Sequence, residues 1–368
     1  MLLRNKTRKI RIGNVEIGGD APVSVQSMTN TDTRNYEKTI KQIRELFSVG
    51  CQLVRVAVPD IQAAKTFAKI ALKSPIPVIA DIHFNYELAL YCIKNGANAI
   101  RINPGNIKEP DAIAKIANAC NEREIPLRIG VNSGSLPKKF AKDISFKSEE
   151  EKTSSIAMAL VKSAIEQCKL LEKYNFHNIK VSLKASDVIT TITAYRIFAK
   201  KYNYPLHLGI TEAGTLRNGI IKSSIGIGTL LLDGIGNTIR VSLTANPIEE
   251  VITGIKILEA VKIRKACPEI ISCPTCGRTE INLESLVKKV ENEIYNLKKK
   301  GKCFKAAKIA IMGCAVNGPG EAKDSDIGLS GAKDGKLVIF RKGTIIDSSN
   351  EKTAFCVFKK LLKELIKT

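Results

Sequence analysis

The chain has 368 residues, of which 44% are hydrophobic, and a formal net charge of +22 from 58 basic and 36 acidic side chains. This length exceeds one average domain. No apolar run of about 18 residues occurs, so we expect no membrane span. The basic first residues lack the apolar core of a signal peptide, which favours a cytoplasmic protein.

The excess of basic residues raises nucleic-acid binding as a hypothesis. However, lysines are spread through helical segments, as in Lys298-Lys299-Lys300 and Lys359-Lys360, which is typical of solvated helix faces. The sequence shows no basic patch interleaved with aromatic residues and no nucleic-acid module. We therefore expect no nucleic-acid partner. A basic surface also suits an anionic substrate or an acidic electron-carrier protein.

The first predicted element is a β-hairpin. Two short β-rich runs, Ile10–Ile12 and Val15–Ile17, flank Gly13-Asn14, a dipeptide typical of two-residue hairpin turns. Ahead of a barrel, such a hairpin would close the bottom.

Eight units of strand followed by helix come next, up to residue 263. The strand candidates are residues 23–28, 53–58, 78–82, 99–102, 127–131, 179–183, 206–210 and 238–242. Most are followed by apolar residues at helical spacing, as in Ile40, Ile43, Leu46 and Phe47. Eight such units in succession indicate a closed (β/α)₈ barrel, residues 1–263, in which chemistry is expected where strands end.

Five of these strands carry an Arg or Lys toward one mouth of the predicted barrel. These residues are Arg55, Arg101, Arg128, Lys184 and Arg240. Cations gathered in a barrel are costly unless an anion neutralises them, and Arg suits phosphate oxygens. A structural ion pair remains the simpler explanation for any single Arg. Together the five predict a substrate with more than one phosphoryl group.

Three further polar side chains lie at strand ends. Asp81 and His83 follow the third strand, where hydrogen bonding to substrate is the favoured interpretation over a metal pair. Glu212 follows the seventh strand and is the candidate general acid, because burial would raise its pKa. A salt bridge between Glu212 and one of the arginines is an equally good interpretation.

Residues 264–368 are predicted to form a small α+β domain. Residues 264–272 are expected to be a linker, and an amphipathic helix, a strand at 308–312, a hairpin turning at Lys342-Gly343 and a last helix follow. Cys273, Cys276 and Cys314 lie in Gly- and Pro-rich loops of this domain. Three thiols with Glu321 suit iron–sulfur ligation with one exchangeable iron, although zinc ligation and a redox dithiol remain alternatives.

Five other cysteines lie in or beside predicted helices and strands. These are Cys51, Cys92, Cys120, Cys168 and Cys356, which are expected to be small buried hydrophobic residues.

With these residues laid out, the chain resembles the 4-hydroxy-3-methylbut-2-enyl diphosphate synthase family of the non-mevalonate isoprenoid pathway, in its short two-domain bacterial form. The resemblance extends nearly from end to end. It is carried by residues 25–31, 80–84, 101–106, 130–132, 184–187, 207–214, 273–278 and 312–322. One departure is Thr215, where many members carry a second Gly.

The resemblance implies an oxidoreductase that opens and dehydrates 2-C-methyl-D-erythritol 2,4-cyclodiphosphate with two electrons from flavodoxin or ferredoxin. It implies a [4Fe–4S] cluster held by Cys273, Cys276, Cys314 and Glu321, in a cluster-binding domain of residues 264–368. It also implies that Glu212 is the acid of the barrel. The residues that would bind the diphosphate are Arg55, Arg101, Asn103, Arg128, Asn132, Lys184 and either Ser223 or Ser224.

Chain geometry predicts a homodimer. The linker spans at most about 30 Å when fully extended, and it starts at the face opposite the barrel mouth. We therefore expect the second domain to cap the barrel of another subunit, head to tail, in a closed dimer. The resemblance implies the same arrangement.

Two other functions remain open. A zinc-stabilised nucleic-acid-binding protein would use Cys273, Cys276, Cys303 and Cys314 together with the basic charge. A cluster-free barrel enzyme would act on phosphorylated or pterin-like substrates and use the second domain only as structure.

Overall fold

The computed structural model describes residues 4–102, 107, 111–137, 140, 148–265, 268–314 and 322–367. The chain divides into two compact units, Met1–Ile263 and Arg264–Thr368. Among the described residues, no helix is both long and apolar enough to cross a membrane.

The first unit is built on eight parallel strands. They are β3 (Ser24–Met28), β4 (Leu53–Ala57), β5 (Val78–Asp81), β6 (Ala99–Ile102), β7 (Leu127–Asn132), β8 (Ile179–Lys184), β9 (His207–Leu208) and β10 (Thr238–Ile239). The sheet order is β8-β7-β6-β5-β4-β3-β10-β9, and a parallel bridge between Val181 and Leu206 joins its two ends. The predicted (β/α)₈ barrel is thus confirmed, with strands within a few residues of their predicted bounds.

In the described part of the first unit, eight helices cover the outside of the sheet. They are α1 (Tyr36–Ser48), α2 (Ile61–Lys73), α3 (Tyr86–Lys94), α4 (Ala112–Glu122), α5 (Glu149–Glu172), α6 (Val188–Lys201), α7 (Leu216–Leu232) and α8 (Pro247–Ala260). Several begin at an Asn, Asp or Ser whose side chain accepts a hydrogen bond from the first turn, such as Asp60 from Ala63 N–H. The helices pack on outward-facing Val, Ile and Leu side chains of the strands, which form one continuous core.

The hairpin predicted ahead of the barrel is present as β1 (Ile10–Ile12) and β2 (Val15–Ile17), paired in antiparallel fashion. Ile10, Ile12 and Ile17 are buried in a separate cluster with three residues at the beginnings of strands: Leu53, Ile79 and Ala99. Because these strand residues lie at the bottom of the barrel, the hairpin closes that end.

Among its described residues, the second unit contains a five-stranded mixed sheet with two helices. Its strands are β11 (Glu269–Ser272), β12 (Lys308–Met312), β13 (Ile327–Gly331), β14 (Leu337–Arg341) and β15 (Thr344–Ser349), in that spatial order. Helices α9 (Leu283–Lys299) and α10 (Glu351–Glu364) share its main core. The predicted α+β class is confirmed, and Lys342 and Gly343 adopt positive φ at the predicted turn.

Two details of the second unit were not predicted. Residues 269–272 are strand β11 rather than linker, because they pair in parallel with β12. Strand β13 lies in a Gly- and Ser-containing run, and its Gly328 is required because a Cβ there would lie 2.1 Å from Phe340 Cζ.

Four of the five cysteines predicted to be buried are buried, namely Cys51, Cys92, Cys120 and Cys168. Burial raises the pKa of the Cys51, Cys92 and Cys120 thiols to about 12, so they are inert at neutral pH. The prediction for Cys356 was wrong, because this residue lies on the exposed face of α10.

Candidate active site

The predicted cations of β4, β6, β7 and β8 all face the inside of the barrel. The neighbours of Arg55, Val54 and Val56, belong to the core between sheet and helices, so Arg55 lies on the opposite face of its strand. The same alternation holds for Arg101, Arg128 and Lys184. The structure therefore brings these four side chains into one interior, where Arg101, Arg128 and Lys184 are buried.

Asp81 is the carboxylate that binds these cations most closely. Arg101 Nη1 donates to Asp81 Oδ1 at 3.0 Å, and Arg55 Nε lies 3.6 Å from Oδ2. His83 Nε2 lies 3.4 Å from Oδ2 and 3.0 Å from Arg101 Nη1, although the His83 side chain is 47% exposed. Burial opposes the charge of Asp81, but Arg55, His83 and Arg101 outweigh it and hold its pKa below the usual value.

Two inward-facing glycines make room for the long cationic side chains. A Cβ on Gly130 would lie 2.9 Å from Arg101 Nε, and a Cβ on Gly209 would lie 2.5 Å from Lys184 Nζ. Real Cβ atoms do not approach so closely. The positions of Arg101 and Lys184 thus depend on the absence of side chains on β7 and just after β9.

The inward-facing cations also repel one another. Burial, followed by repulsion from Arg128 and Arg240, lowers the pKa of Lys184 well below its usual value. Burial with repulsion from Arg55 and Arg101 does the same for Arg128. Burial lowers the pKa of Arg55 to about 10 in spite of Asp81. A polyanion placed here would relieve both the desolvation and the repulsion.

Arg240 forms its ion pair with a carboxylate other than Asp81. Its Nε and Nη2 each lie 3.3 Å from a carboxylate oxygen of Glu250, at the start of α8. Glu250 also accepts hydrogen bonds from Ser27 Oγ and Leu243 N–H. For Arg240 the simpler interpretation, a structural ion pair, therefore fits.

Glu212 lies in the turn between β9 and α7 with a φ of +51°. This left-handed conformation is costly for a residue with a side chain, and such strain is often found at functional sites. The expected burial is not found, because Glu212 is exposed, and no ion pair of Glu212 with a described residue occurs. A carboxylate oxygen of Glu212 would lie 3.9 Å from a Cβ on Gly134, so it faces the loop after β7.

Thr215, the departure from the family pattern, needs no glycine. Its φ is −62° and it is the residue that precedes α7, whereas Gly214 beside it has a φ of +103°. The turn requires glycine at 214 and accepts a side chain at 215.

The other predicted binding residues are distributed as follows. Asn132 ends β7 on the same inward face as Arg128 and is partly buried. Ser223 and Ser224 lie on α7, about two turns after its start, and the structure does not bring them to the interior cations. Ser223 is instead buried on the helix face that packs on the sheet. Asn103 and Glu321 lie outside the described residues.

The predicted site residues do not include several buried polar side chains lower in the barrel. Lys180 on β8, His207 on β9 and Gln26 on β3 are almost fully buried, and each has a side-chain nitrogen without a hydrogen-bond partner in the described structure. Period-two alternation in 179–184 was the available signal, since Lys180, Ser182 and Lys184 share one face.

In the second unit, the loops that carry the thiols leave two adjacent parallel strands. Cys273 directly follows β11 and Cys314 comes two residues after β12, whose Ile311 pairs with Ser272. Gly313 N–H donates to Cys273 Sγ at 3.2 Å. Both cysteines therefore lie at the same end of the sheet, where the parallel strands β11 and β12 end.

Cys276 is exposed and lies in a tight turn in which its N–H donates to Thr279 Oγ1 at 3.0 Å. Hydrogen bonds from the backbone and side chain of Arg278 lower the pKa of the Cys276 thiol. A thiol with a lowered pKa and an amide donor to sulfur are features that favour thiolate ligation of iron or zinc. Nevertheless, no three His, Cys, Asp or Glu side chains in the described part of the chain are grouped closely enough to hold a metal ion.

Cys303 precedes β12 and Cys314 follows it, so a five-residue strand of about 16 Å lies between them along the chain. This arrangement disfavours the four-cysteine zinc site considered from the sequence.

The fold and the site define a barrel enzyme with a cationic interior and a second, thiol-bearing α+β unit. Residues 7–255 match the GcpE TIM-barrel domain, and residues 269–364 match the GcpE protein C-terminal domain. The chain belongs to the GcpE family.

Curated relatives are similar in sequence to this chain over nearly its whole length. A protein of Thermodesulfovibrio yellowstonii is 51% identical over 95% of this chain and 96% of its own length. One of Clostridium perfringens is 51% identical over 99% of this chain and 98% of its own. Both are named 4-hydroxy-3-methylbut-2-en-1-yl diphosphate synthase (flavodoxin).

Among solved structures, the dihydropteroate synthase of Stenotrophomonas maltophilia superposes with a TM-score of 0.51 at 13% identity. The superposition covers 70% of this chain and 98% of that structure. At this identity, the similarity shows the barrel fold alone.

Proposed function

We propose that this chain catalyses the two-electron reductive ring opening and dehydration of 2-C-methyl-D-erythritol 2,4-cyclodiphosphate to 4-hydroxy-3-methylbut-2-enyl diphosphate. The observation that carries the proposal is the set of inward cations, Arg55, Arg101, Arg128 and Lys184, which have one close carboxylate, Asp81. The named activity of relatives about half identical over nearly the full length supports it.

The first unit would bind the substrate. Arg128 and Lys184 have no carboxylate partner in the described structure, so an anion with two phosphoryl groups would pair with them. Asp81 and His83 fix the Arg101 guanidinium, which leaves its other nitrogens for phosphoryl oxygens. Asn132 on the same inward face, with Asn103, would donate hydrogen bonds.

Glu212 is the proposed proton donor to the departing hydroxyl. Its side chain is exposed in the described structure. The strained turn holds the carboxyl at the strand end, beside the loop after β7.

The second unit would hold a [4Fe–4S] cluster through Cys273, Cys276, Cys314 and Glu321. The support is the chemistry of the donors: the Gly313 amide on Cys273 Sγ and the lowered pKa of Cys276. When bound, such a cluster supplies single electrons and a Lewis-acidic iron with an exchangeable position. The electrons would come from flavodoxin, the carrier in the relatives' names, or from a ferredoxin.

The active form is proposed to be a head-to-tail homodimer in the cytoplasm. Residues 264–272 span at most about 30 Å, and the last four are already a strand of the second unit's sheet. Helix α8 has 14 residues and runs from the barrel mouth to the opposite face over about 21 Å. A short connection that begins there favours capping of a partner's barrel.

Turnover by the anaerobically purified chain tests the proposal. With reduced flavodoxin and the cyclodiphosphate, we expect the linear diphosphate as product, identified by mass. Lys184→Met should lower kcat/KM at least about 100-fold, because a charged contact to phosphate is lost. Lys162→Met, an exposed position on α5, is the matched control and should leave turnover unchanged. Absence of product from the iron-loaded wild-type chain would refute the proposal.

A further inference from the structure

Toward the lower ends of β8 and β9, level with Arg128, lies a tier of buried polar side chains that includes two groups the proposed chemistry does not use. Lys180 occurs on β8 two inward-facing positions before Lys184, about 13 Å toward the strand start. It is 1% exposed and ranks among the largest fully buried side chains of the chain. Its Nζ has no hydrogen-bond partner in the described structure.

His207 on β9 belongs to the same tier. It is completely buried, its Nδ1 lies 2.8 Å from Thr238 Oγ1, and its Nε2 has no partner in the described part of the chain. Arg128, the register neighbour of Lys180 on β7, bonds Ser182 Oγ through Nη1 and leaves Nε without a partner. The side chains of Lys180, His207 and Arg128 thus lie close together, and no carboxylate of the described structure pairs with them.

The charged groups around Lys180 are predominantly positive. Arg128 on β7 and Arg55 on β4 act on Lys180 directly, and the same interior holds Lys184 and Arg240, the carboxylates Asp81 and Glu250, and His207, whose own pKa is lowered by burial and by Lys184. Both carboxylates are already committed, Asp81 to Arg101 and Arg55, and Glu250 to Arg240. Burial, and then repulsion from Arg128 and Arg55, lowers the pKa of Lys180 well below its usual value.

The barrel bottom is closed by the buried isoleucines of the β1–β2 hairpin. A proton that reaches Lys180 therefore comes through the mouth, where the anionic ligand would bind. Negative charge placed among Arg55, Arg128 and Lys184 would offset the repulsion that, after burial, lowers the pKa of Lys180. Ligand charge and the protonation of Lys180 are then linked.

We propose that Lys180 is a positioning residue whose buried amine is neutral in the free enzyme and takes up a proton when the cyclodiphosphate binds. The step is the addition of one solvent proton to the Nζ lone pair, giving an ammonium that balances part of the ligand charge. The ligand's identity rests on the proposed function. The linkage itself requires only a polyanion at the cations above.

Calorimetry on the oxidised holoenzyme without reductant tests the proposal, because the substrate then binds without turnover. Binding of the cyclodiphosphate is measured at pH 7.5 in two buffers of different ionisation enthalpy, which gives the number of protons taken up. Each phosphoryl group of this ligand has one ester and one anhydride linkage and a single strongly acidic hydroxyl, so the protons are taken up by the protein. Compared with the wild type, Lys180→Met should take up about one proton fewer. Lys162→Met should match the wild type.

The pH dependence of the dissociation constant is an independent readout. For each proton taken up, wild-type affinity should fall about tenfold per unit rise in pH, and Lys180→Met should show a flatter slope. Methionine has a similar volume and needs no partner, so we expect the variant to be at least as thermally stable as the wild type. Lys180→Gln provides a second neutral variant with the same expected loss of uptake.

A second probe separates this inference from the substrate assignment. Ethane-1,2-disulfonate carries two charges and has no titrating group near neutral pH. If the cyclodiphosphate binds with equal proton uptake in wild type and Lys180→Met, the inference is overturned and the proposed function stands. If the cyclodiphosphate does not bind, but the disulfonate binds with an uptake that Lys180→Met loses, the substrate assignment fails and the inference stands.

Discussion

Glycine at two inward-facing positions allows the barrel interior to hold long cationic side chains. Gly130 and Gly209 leave the space that Arg101 and Lys184 occupy, and in each case a Cβ would overlap the cationic end of the side chain. At the residue scale, the site is therefore defined as much by missing side chains as by charged ones.

Gly130→Ala tests this dependence. The new Cβ would lie 2.9 Å from Arg101 Nε, so the guanidinium must leave the position in which it bonds Asp81. We expect KM for the cyclodiphosphate to rise about tenfold or more in steady-state assays, with the fold retained. Gly228→Ala on α7 is the control, because its nearest neighbour would lie 4.0 Å away. It should be neutral or slightly stabilising. An unchanged KM in Gly130→Ala would argue against a substrate role for Arg101.

The strained backbone at Glu212 makes a second prediction. Glycine accepts a φ of +51° without strain, so Glu212→Gly should raise Tm by about 2 °C, from about 1 kcal/mol of relieved strain. The same variant should lose at least about 100-fold in kcat, because the proton donor is removed. Lys262→Gly, at a φ of +58° in an exposed turn, should gain similar stability with full activity. A Glu212→Gly enzyme with full turnover would exclude the acid role.

The elements of the barrel could be predicted because hydrophobic alternation and helical spacing follow directly from burial. The set of inward residues that form the site could not be predicted as completely from the sequence. Lys180 sits in the run Ile179–Val181, where sequence alone does not separate a solvent-facing lysine from one inside a closed barrel. Strand β11 was assigned to a linker because its pairing with β12 is a tertiary contact. Ser223 and Ser224 could not be placed, because a family pattern does not show the depth of a residue along a helix.

At the element scale, the thiol loops depend on how closely the paired parallel strands β12 and β13 approach each other at their carboxyl ends. A Cβ on Gly331 of β13 would lie 2.4 Å from the Gly313 carbonyl oxygen, just before Cys314. Gly313 is also the residue whose amide bonds Cys273 Sγ. The close backbone contact between Gly331 and Gly313 thus fixes the positions of two predicted ligands, Cys273 and Cys314, together.

Gly331→Ala should therefore lose iron. We expect less than about half the wild-type iron per folded chain after anaerobic reconstitution, because displacement of Gly313 moves both thiols. Iron is measured by colorimetric assay, and folding by circular dichroism. Gly277→Ala, beside Cys276, has open space at its Cβ and should keep its iron. Full iron content in Gly331→Ala would show that the contact between Gly331 and Gly313 does not position the thiols.

At the scale of the whole molecule, the dimer proposal predicts that two inactive variants restore each other. Lys184→Met disables the barrel and Cys314→Ser disables the second unit. If each site uses one subunit's barrel and its partner's thiols, mixed dimers have one intact site. Co-expression should then recover about one quarter of wild-type activity. Either variant mixed with itself serves as control. A mixture that stays inactive although mass spectrometry detects mixed dimers would mean that both parts come from one chain.

The central claim is that a thiol-held iron–sulfur cluster and a cation-lined barrel act together on a cyclic diphosphate. The most direct measurement is turnover as a function of iron content, with preparations loaded anaerobically from none to about four irons per chain. The account predicts visible absorbance and linear-diphosphate formation that rise together and vanish together. Colourless, iron-poor protein that still converts the cyclodiphosphate would contradict it.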